Sequence, residues 1–485
     1  MQLWHLRRKI HTSWLIGIAS AGLVAGTAAV RLVDQTIFSS VAWLVLGIVL
    51  LGFALWQRIV VLVPVVIVSG LLIGAWRGSM LGSQLVVYKG LMNHSATVSG
   101  TVSDDPDVGQ DGSTTIRLSH VTIDGHREPG KLWVSTRAKA TIKRGDSATV
   151  AGALQSGFGS YAAVMYEAGL KKLQRPQPGD VAGRVRDWFA DKIRLAIAEP
   201  QASLGLGYLL GQKRALPADL QQALVVTGLT HVVVASGYNL TILVRLARRL
   251  FVKVSKYLAT LSASVMILSF MAVTGASPSM SRAGLVSGLS LAAWYYGRSF
   301  HPLVLLPFAA AVTVLIDPTY AWNDLGWQLS FAAFGGVMIL APLLQRYFFD
   351  DKKPGTVRQI LGETISAHIV TLPVLVLAFG QFSNVAIFSN LLVLPFVPLA
   401  MLLTFVAGIG VLLAPQFATF FGLPAQWLLT YMTTVIHYFA GLGWAQTALT
   451  ITPWVAGLAY AVIVGLCIYL WRATKYNLRD ANMVE

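Results

Sequence analysis

Four groups of polar residues interrupt long apolar runs, at residues 228–239, 275–283, 317–331 and 363–395. Polar side chains within membrane spans are costly, and they usually face a water-filled path or a partner. The chemistry that these groups could support is passage of a polar solute or, at the serines of the second group, nucleophilic attack. Together they are typical of the mouth of a polar passage.

The first two groups contain the residues best suited to an anionic solute. In the first, His231, Ser236, Gly237 and Asn239 interrupt an apolar run and predict a broken helix, which membranes tolerate only where backbone is buried in protein or lines a cavity. The second places Arg282 on the first turn of the next span. Arginine can replace the hydration shell of a phosphate bidentately, so we expect Arg282 in the path.

The third and fourth groups add carboxylates, amides and a hydroxyl. We expect Asp317, which precedes a proline, to cap a turn. We expect Asp324 to pair with Arg282, an ion pair that would brace the mouth of the path or form a gate. The complete set of residues predicted to line the path is His231, Ser236, Gly237, Asn239, Arg282, Asp317, Asp324, Gln328, Ser330 and Asn390.

Composition places these groups in a membrane protein. Of the 485 residues 55% are hydrophobic and only 12% are charged, with a mean hydropathy of +0.64. Soluble globular proteins average about 25% charged residues. The single cysteine, Cys467, excludes an intramolecular disulfide and a cysteine-based metal site.

A membrane-spanning helix needs about 20 mostly apolar residues. On that criterion we predict twelve spans, at about 12–33, 37–56, 59–76, 228–250, 257–274, 282–297, 302–316, 326–346, 360–379, 388–412, 416–441 and 452–471. Both termini then lie in the cytoplasm, and the loops on that side carry 17 basic and four acidic residues. This bias accounts for most of the net charge of +16, so the charge alone is no evidence for nucleic-acid binding.

Residues 79–178 differ, because short segments rich in Val, Thr and Ile alternate with turn residues. We predict five strands, near 95–103, 114–124, 131–137, 146–156 and 161–173, which suit a small OB-like barrel outside the membrane. A β-sandwich fragment would give the same pattern of strands. One strand face would carry Lys131, Trp133 and Arg137, with Phe158 and Tyr161 nearby. Such barrels hold single strands by stacking bases on aromatic rings and contacting phosphates with basic residues.

The predicted fold is therefore a polytopic α-helical membrane protein with an external β-barrel domain. Its predicted regions are N-terminal transmembrane helices at 1–78, the β domain at 79–178, interfacial amphipathic helices at 179–215, a transmembrane channel domain at 216–475 and a cytoplasmic tail at 476–485.

The order of the polar motifs resembles the ComEC family of DNA-uptake competence proteins. The most specific part runs from Asp317-Pro318 through Asp324 and Gly326 to residues 328–332, with 275–283 before it. His231 and Ser236-Gly237 upstream, and Thr371-Leu-Pro373 and 390–395 downstream, extend the resemblance over about 200–412. Family members also share the layout of N-terminal spans, external OB-like domain and polytopic competence domain.

This resemblance implies import of single-stranded DNA into the cytoplasm through a channel in the bacterial plasma membrane. It also implies a separate DNA receptor, a nuclease and a cytoplasmic helicase-type ATPase. Two departures matter. We expect none of the metallo-β-lactamase-like domain that many family members carry, because the residues after the last predicted span lack its clustered His and Asp ligands. In addition, Asn239 stands where the family tends to have a second histidine.

Two other classes of function stay open at this point. A serine-based intramembrane hydrolase would need His231 or His368 near the serines, and no Gly-x-Ser-x-Gly motif surrounds them. A secondary transporter would fit twelve spans and broken helices, although the two halves show no convincing repeat. With no ATP-binding loop, no expected cofactor and no expected metal, we predict a channel and no enzyme.

Overall fold

The computed structural model describes residues 9–34, 36–109, 112–138, 140–212, 216–233, 237–275, 277–297, 301–350 and 355–476. The chain divides into two compact units. Unit 1 comprises Met1–Asp180 and His301–Gln328, and unit 2 comprises Val181–Phe300 and Leu329–Glu485. The predicted channel domain at 216–475 is thus shared between the units, because residues 301–328 group with the N-terminal helices and the β domain.

Helices make up most of the described chain. In order they are α1 (Thr12–Ala29), α2 (Val41–Gln57), α3 (Val63–Leu85), α4 (Val87–Leu91), α5 (Val181–Ala196), α6 (Gln201–Leu210), α7 (Ala218–Val226), α8 (Thr230–Val233), α9 (Gly237–Phe251), α10 (Lys256–Thr274), α11 (Pro278–Tyr295), α12 (Pro302–Ile316), α13 (Thr319–Asn323), α14 (Leu325–Gly335), α15 (Ala341–Phe349), α16 (Thr356–Phe379), α17 (Ala386–Val393), α18 (Val397–Leu413), α19 (Ala418–Ala440) and α20 (Pro453–Thr474). One π-helical turn, Gly336–Leu340, joins α14 to α15.

Seven helical segments among the described residues are long and apolar enough to cross a membrane: Thr12–Leu32, Val60–Leu91, Lys256–Thr274, Leu325–Phe349, Val357–Phe379, Ala386–Leu413 and Pro453–Thr474. Val41–Gln57 and Pro302–Ile316 are apolar but shorter. These helices confirm a membrane protein, whereas the predicted number of twelve spans is not confirmed. The span predicted at 228–250 contains α8 and α9, and its residues 234–236 lie outside the described residues.

The described residues of the β domain form nine strands. They are β1 (Ser95–Val102), β2 (Asp107–Val108), β3 (Thr114–Ile123), β4 (His126–Arg127), β5 (Leu132–Thr136), β6 (Ser147–Ala153), β7 (Gln155–Ser156), β8 (Ala163–Met165) and β9 (Gly169–Gln174). A separate two-stranded ladder pairs β10 (Gln381–Ser383) with β11 (Gln446–Ala448). The separate N-terminal β domain predicted from the sequence is confirmed.

Strand pairing in this domain follows the order β7-β8-β5-β3-β1-β6-β9. The β5–β8 pair is parallel, and the others along this path are antiparallel. In this order β8 lies near one end and β9 at the other, although both strands belong to the segment 163–174.

Alternating burial explains why these segments form strands. In β5, Leu132 and Val134 are fully buried while Trp133 between them faces outwards, the period of two expected of a sheet with one covered face. Gly125 and Gly145 have φ of 93° and 85°, a conformation that side chains with a Cβ rarely adopt, and each stands in a tight turn between strands. The alternation of buried side chains and the turn glycines therefore both favour short strands joined by tight turns in this domain.

In unit 1, α1 and α3 pack in backbone contact. A Cβ on Gly26 would lie 2.2 Å from the Leu71 carbonyl oxygen, and one on Gly74 would lie 2.0 Å from the Leu23 carbonyl oxygen. Small residues at such positions let helices approach closely in membranes. On another part of α1, a Cβ on Gly17 would lie 3.3 Å from the Cα of Val304, so α12 also packs against this helix.

The core of unit 2 includes α5, α6, α18 and α19. The helix α6 is almost wholly buried, which differs from the interfacial position predicted for 179–215. In α5, Ala190 and Ile193 are buried in this core, whereas Val185 and Trp188 are exposed. Only the outer face of α5 therefore has the apolar exposure expected of an interfacial helix.

Candidate functional site

A buried arginine forms the centre of the site in unit 2. Arg282 is the fifth residue of α11, and only 8% of it is exposed. Its Nε donates a hydrogen bond to the Ser330 Oγ at 2.7 Å. The Ser330 Oγ in turn lies 3.2 Å from the Ser279 Oγ and donates to it. The structure thus brings together two predicted residues, Arg282 and Ser330, from helices far apart in sequence.

Aromatic rings and a glycine complete the surroundings of the guanidinium. Its Cζ lies 5.0 Å from the centre of the Phe334 ring and 5.9 Å from that of Phe331. A Cβ on Gly237 would lie 3.0 Å from an Arg282 terminal nitrogen. The first residue of α9 is therefore close to the guanidinium, and a larger residue there would displace it.

Within the residues that the structure describes, no carboxylate forms an ion pair with Arg282. Its neighbours include the Ser330 hydroxyl, the faces of two rings and the first residue of α9. A buried charge normally requires an opposite charge and hydrogen bonds to offset its desolvation. This arrangement can therefore accept an anion, and arginine presents its donors in a planar fork that suits a phosphate.

Asn239, on the first turn of α9, links this helix to α6 and α8. Its amide nitrogen donates to the backbone carbonyls of Tyr208 at 3.1 Å and Val232 at 3.2 Å. Asn239 is fully buried, so its position indicates a structural role in joining α6, α8 and α9. Predicted residue Ser236 lies outside the described residues. His231 is exposed on α8, and its Nδ1 lies 2.8 Å from the carbonyl oxygen of Gly228.

Asn390 is buried on α17, and its side-chain oxygen has no hydrogen-bond partner among the described residues. The adjacent Ser389 donates to the carbonyl of Thr227 at 2.8 Å. Asn390 thus lies on a helix bonded to the end of α7, and it is not among the hydrogen-bond partners of Arg282 in the described residues.

Three predicted residues belong to unit 1, where the two carboxylates fix local structure. Asp317 accepts hydrogen bonds from the backbone amide and the hydroxyl of Thr319, the capping role expected of it. Asp324 accepts from the Trp327 backbone amide at 2.7 Å and so caps α14. Gln328 is partly exposed on the first turn of that helix.

The β domain contains a cluster of aromatic rings. The Trp133 ring centre lies 5.7 Å from that of Phe158 and 5.4 Å from that of Tyr166, and Phe158 lies 5.6 Å from Tyr161. Phe158 and Tyr166 are each 50% exposed. The three aromatic residues predicted for this surface are therefore neighbours, and Tyr166 extends the cluster.

The basic residues predicted for the same surface are ion-paired. The Lys131 Nζ lies 2.8 Å from an Asp317 carboxylate oxygen and over the ring of Tyr320, and Arg137 pairs with Glu167 at 2.9 Å. Burial acts to lower the pKa of Lys131, but the neighbouring Asp317 carboxylate raises it, and the net direction is upward. Lys131 therefore stays charged and bound to its partner.

Comparison with known proteins places the Arg282 site in a known family. A model of the competence protein family matches residues 208–474, more than half of the chain. The chain belongs to the competence protein family. The matched range contains Arg282, Ser330, Asn239 and Asn390, while the β domain lies outside it.

Two relatives share weaker similarity with this competence-family chain. ComE operon protein 3 of Bacillus subtilis (strain 168) is 27% identical over 221 residues, covering 43% of this chain and 27% of the relative. An uncharacterized protein of Aquifex aeolicus (strain VF5) is 25% identical over 214 residues, covering 43% of this chain and 47% of the relative. The chain thus aligns with less than half of either relative's length. No solved structure matches it significantly.

Sequence reasoning missed one residue beside Arg282 and one in the β domain. Phe334 follows Ser330 and Phe331 by four and three residues, a spacing that places all three on one helix face and could have indicated it. Arg117 was also missed; it pairs with Asp107 and donates to the Tyr161 hydroxyl at 3.0 Å. Among the described residues, no group of three His, Cys, Asp or Glu side chains could hold a metal ion.

Proposed function

We propose that the chain is the conducting subunit of a DNA-uptake machine, passing single-stranded DNA across the plasma membrane into the cytoplasm during natural transformation. Membership of the competence protein family supports a role in DNA uptake. The observation that carries the conducting role is Arg282, a buried cation without a carboxylate partner in the described parts of the chain.

The physical argument concerns what would stabilise this cation. Each phosphodiester of a passing strand carries one negative charge and two oxygens that can accept from the guanidinium fork. The Ser279 and Ser330 hydroxyls lie beside it and could hydrogen bond to the same group. Because this contact involves only the phosphate backbone of the DNA, the channel would pass strands of any base sequence. Conduction also requires sites weak enough to release what they bind, and a single cation meets that condition.

We assign the β domain a holding role and an OB-like fold. Its strand path supports this fold, because β8 and β9 from one segment pair with strands at opposite ends of the β5-β3-β1-β6 series. The half-exposed rings around Trp133 offer faces on which bases could stack. The ion pairs of Lys131 and Arg137 leave stacking as the main attraction at this surface.

The proposed arrangement has about twelve spans, with both termini in the cytoplasm and the β domain on the opposite side. The excess of basic residues in the loops assigned to the cytoplasm supports this orientation. A channel of this kind contributes path and selectivity and no catalysis. A separate DNA receptor, a nuclease and a cytoplasmic ATPase motor would supply the remaining steps.

The hydrolase alternative is less well supported. Ser330 accepts from Arg282 and is bonded to Ser279, and neither serine is hydrogen-bonded to a histidine in the described residues. A nucleophilic serine needs a base within reach. No specific feature of the described residues favours the transporter alternative.

The test is uptake of labelled DNA in cells that carry the wild-type chain, a deletion, Arg282→Ala or Arg282→Lys. Surface DNA binding and membrane expression are scored separately. We expect the deletion and Arg282→Ala to abolish cytoplasmic entry while surface binding remains, and Arg282→Lys to give partial entry because it keeps the charge but loses the fork. Arg472→Ala, an exposed arginine at the end of α20, is the matched control.

Unchanged entry in the deletion strain would overturn the channel proposal. Normal entry with Arg282→Ala, in a strain where the deletion blocks it, would keep the channel but remove Arg282 from its path.

A further inference from the structure

A second group of basic residues lies where three helices of unit 2 meet, at the end of α9, the start of α10 and the end of α11. Arg248 and Lys256 both lie over the ring of Trp294, with the Arg248 Cζ at 5.0 Å and the Lys256 Nζ at 5.4 Å from its centre. Arg249 and Lys253 are exposed on the same connection. We call these four basic residues and Trp294 the α9–α11 basic cluster.

Apolar residues are exposed beside this cluster. Leu250, Val252 and Val254 lie among its basic residues in sequence and are exposed. Along α10 the exposed large apolar residues are Tyr257, Leu261, Val265 and Leu268, spaced by four, four and three residues. This spacing produces one continuous apolar stripe, the α10 stripe, on a helix apolar enough to cross a membrane.

The position of the cluster follows from the stripe. Since the α10 stripe suits acyl chains and begins at Tyr257, the basic residues at 253 and 256 stand at the level of the lipid headgroups. Clusters of basic residues at the end of a span attract anionic lipids. The cluster and the stripe thus match the two parts of one lipid molecule, with its phosphate at the cluster and its acyl chains along α10.

The aromatic rings argue against a nucleic-acid strand as the occupant. Lys256 lies over both Trp294 and Tyr295, and Arg248 also lies over Trp294, so these rings already contact cations of the chain. Stacking of bases needs open ring faces. The interleaved Leu250, Val252 and Val254 likewise suit acyl chains better than a strand in water.

We propose that the α9–α11 basic cluster and the α10 stripe form a binding site for an anionic phospholipid. Its phosphate contacts Lys253 and Lys256, and its acyl chains lie along Leu261 and Val265. The site does not depend on the proposed conduction of DNA.

The experiment measures binding of phosphatidylglycerol, and of phosphatidylcholine with the same acyl chains, to the purified full chain by native mass spectrometry. The variant is Lys253→Gln with Lys256→Gln. The matched control is Arg472→Gln with Lys475→Gln, which removes the same charge at the end of another apolar helix. We expect the first pair to weaken phosphatidylglycerol binding by about tenfold or more, and the control pair by less than about twofold.

Equal losses in the two pairs would overturn the site, because general attraction of anionic lipid to basic loops would then suffice. No loss in either pair would also overturn it. If binding of a single-stranded oligonucleotide falls while phosphatidylglycerol binding does not, the cluster serves nucleic acid and the lipid proposal fails.

A second measurement does not depend on the stability of the glutamine pair. Tryptophan quenching by brominated phosphatidylglycerol and by brominated phosphatidylcholine is compared between the wild type and Trp294→Phe, and the difference isolates Trp294. We expect stronger quenching of Trp294 by the anionic lipid. Equal quenching by the two lipids would contradict the proposal.

Discussion

Basic residues have different partners in the β domain and at the membrane site. In the β domain, Arg117, Lys131, Arg137, Arg144 and Arg175 each pair with a carboxylate. Arg282 in unit 2 is buried beside hydroxyls and rings, with no carboxylate pair in the described residues. Paired cations hold a fold together, whereas a buried cation that lacks a counter-charge is available for a passing anion.

The difference also separates two ways of holding DNA. At the β domain the basic residues are ion-paired and the aromatic rings are half-exposed, so base stacking is the contact available to DNA. At the membrane site the rings contact the guanidinium, so the positive charge of Arg282 is the contact available to DNA. Substitutions at each site test this contrast, and we expect the largest effect at Arg282.

Arg282→Met should separate function from stability. Loss of a buried charged contact costs several kcal/mol of binding, so we expect cytoplasmic DNA entry to fall on the order of 100-fold. Replacing an uncompensated buried charge by an apolar side chain is neutral or stabilising, so thermal stability should be unchanged or higher. Uptake assays and thermal unfolding of the purified chain check the two parts. A clear drop in stability would indicate that Arg282 is structural.

Asp146→Asn should have the opposite pattern, with loss of stability at the β domain. Two nitrogens of Arg175 and the Lys143 backbone amide donate to its carboxylate at 2.8 Å. We expect a loss on the order of 2 kcal/mol at neutral pH. Hydrogen exchange of β6 and β9 in the full chain measures it, with Asp191→Asn, an exposed acidic residue of α5, as control.

The effect of Asp146→Asn should depend on pH. Burial acts to raise the pKa of Asp146, but hydrogen bonds from Arg175 and Lys143 hold that pKa below its ordinary value. A carboxylate with a lowered pKa stabilises the fold fully above its unfolded pKa of about 4, and this contribution disappears as the pH falls through the folded pKa. The two proteins should therefore converge in acid; a constant difference would contradict the ionic origin.

Trp133→Ala should weaken binding of single-stranded DNA by about tenfold, since base stacking on an aromatic ring contributes about 1–3 kcal/mol. Fluorescence anisotropy of a labelled oligonucleotide with the full chain measures the affinity. Trp454→Ala, a highly exposed tryptophan on α20, controls for loss of an indole elsewhere. Equal effects of the two substitutions would remove the β-domain cluster from DNA binding.

Arg137 and Glu167 should give the smallest effect, because both side chains are largely exposed, at 66% and 69%. Double-mutant cycles on exposed pairs usually yield less than about 1 kcal/mol, and we expect a coupling below about 0.5 kcal/mol for this pair. The same cycle on Lys131 and Asp317, which are more buried, should yield a larger coupling. The reverse order would contradict the burial difference.

Local patterns in the sequence predicted the β domain well. Each predicted strand contains a strand of the structure, because alternation of side chains and turn glycines are properties of neighbouring residues. The predicted strand at 161–173 is interrupted, since β8 and β9 pair with different strands. Pairing partners are set at long range and have no local signal.

Long-range contacts also explain what could not be predicted in the helical parts. The partner of Lys131, Asp317, lies 186 residues away, and nothing near Lys131 indicates it. The grouping of α12 with unit 1 follows from packing of Val304 on Gly17, again a distant contact. The sequence alone singled out Arg282 as a candidate, because arginine near an apolar span is rare in itself. Its hydrogen bond to Ser330 could be found only from the structure.

The strand order of the β domain has a mechanical consequence. The domain begins at Ser95 in β1, opposite Ala153 of β6, and ends at Gln174 in β9, opposite Ser147 at the other end of β6. Because β1 and β9 are each antiparallel to β6, tension applied through the two flanking segments pulls them along β6 in opposite directions. The ladder bonds are then loaded together, in shear, and not one after another. A domain joined in this way should resist being unravelled by traction on the chain that carries it.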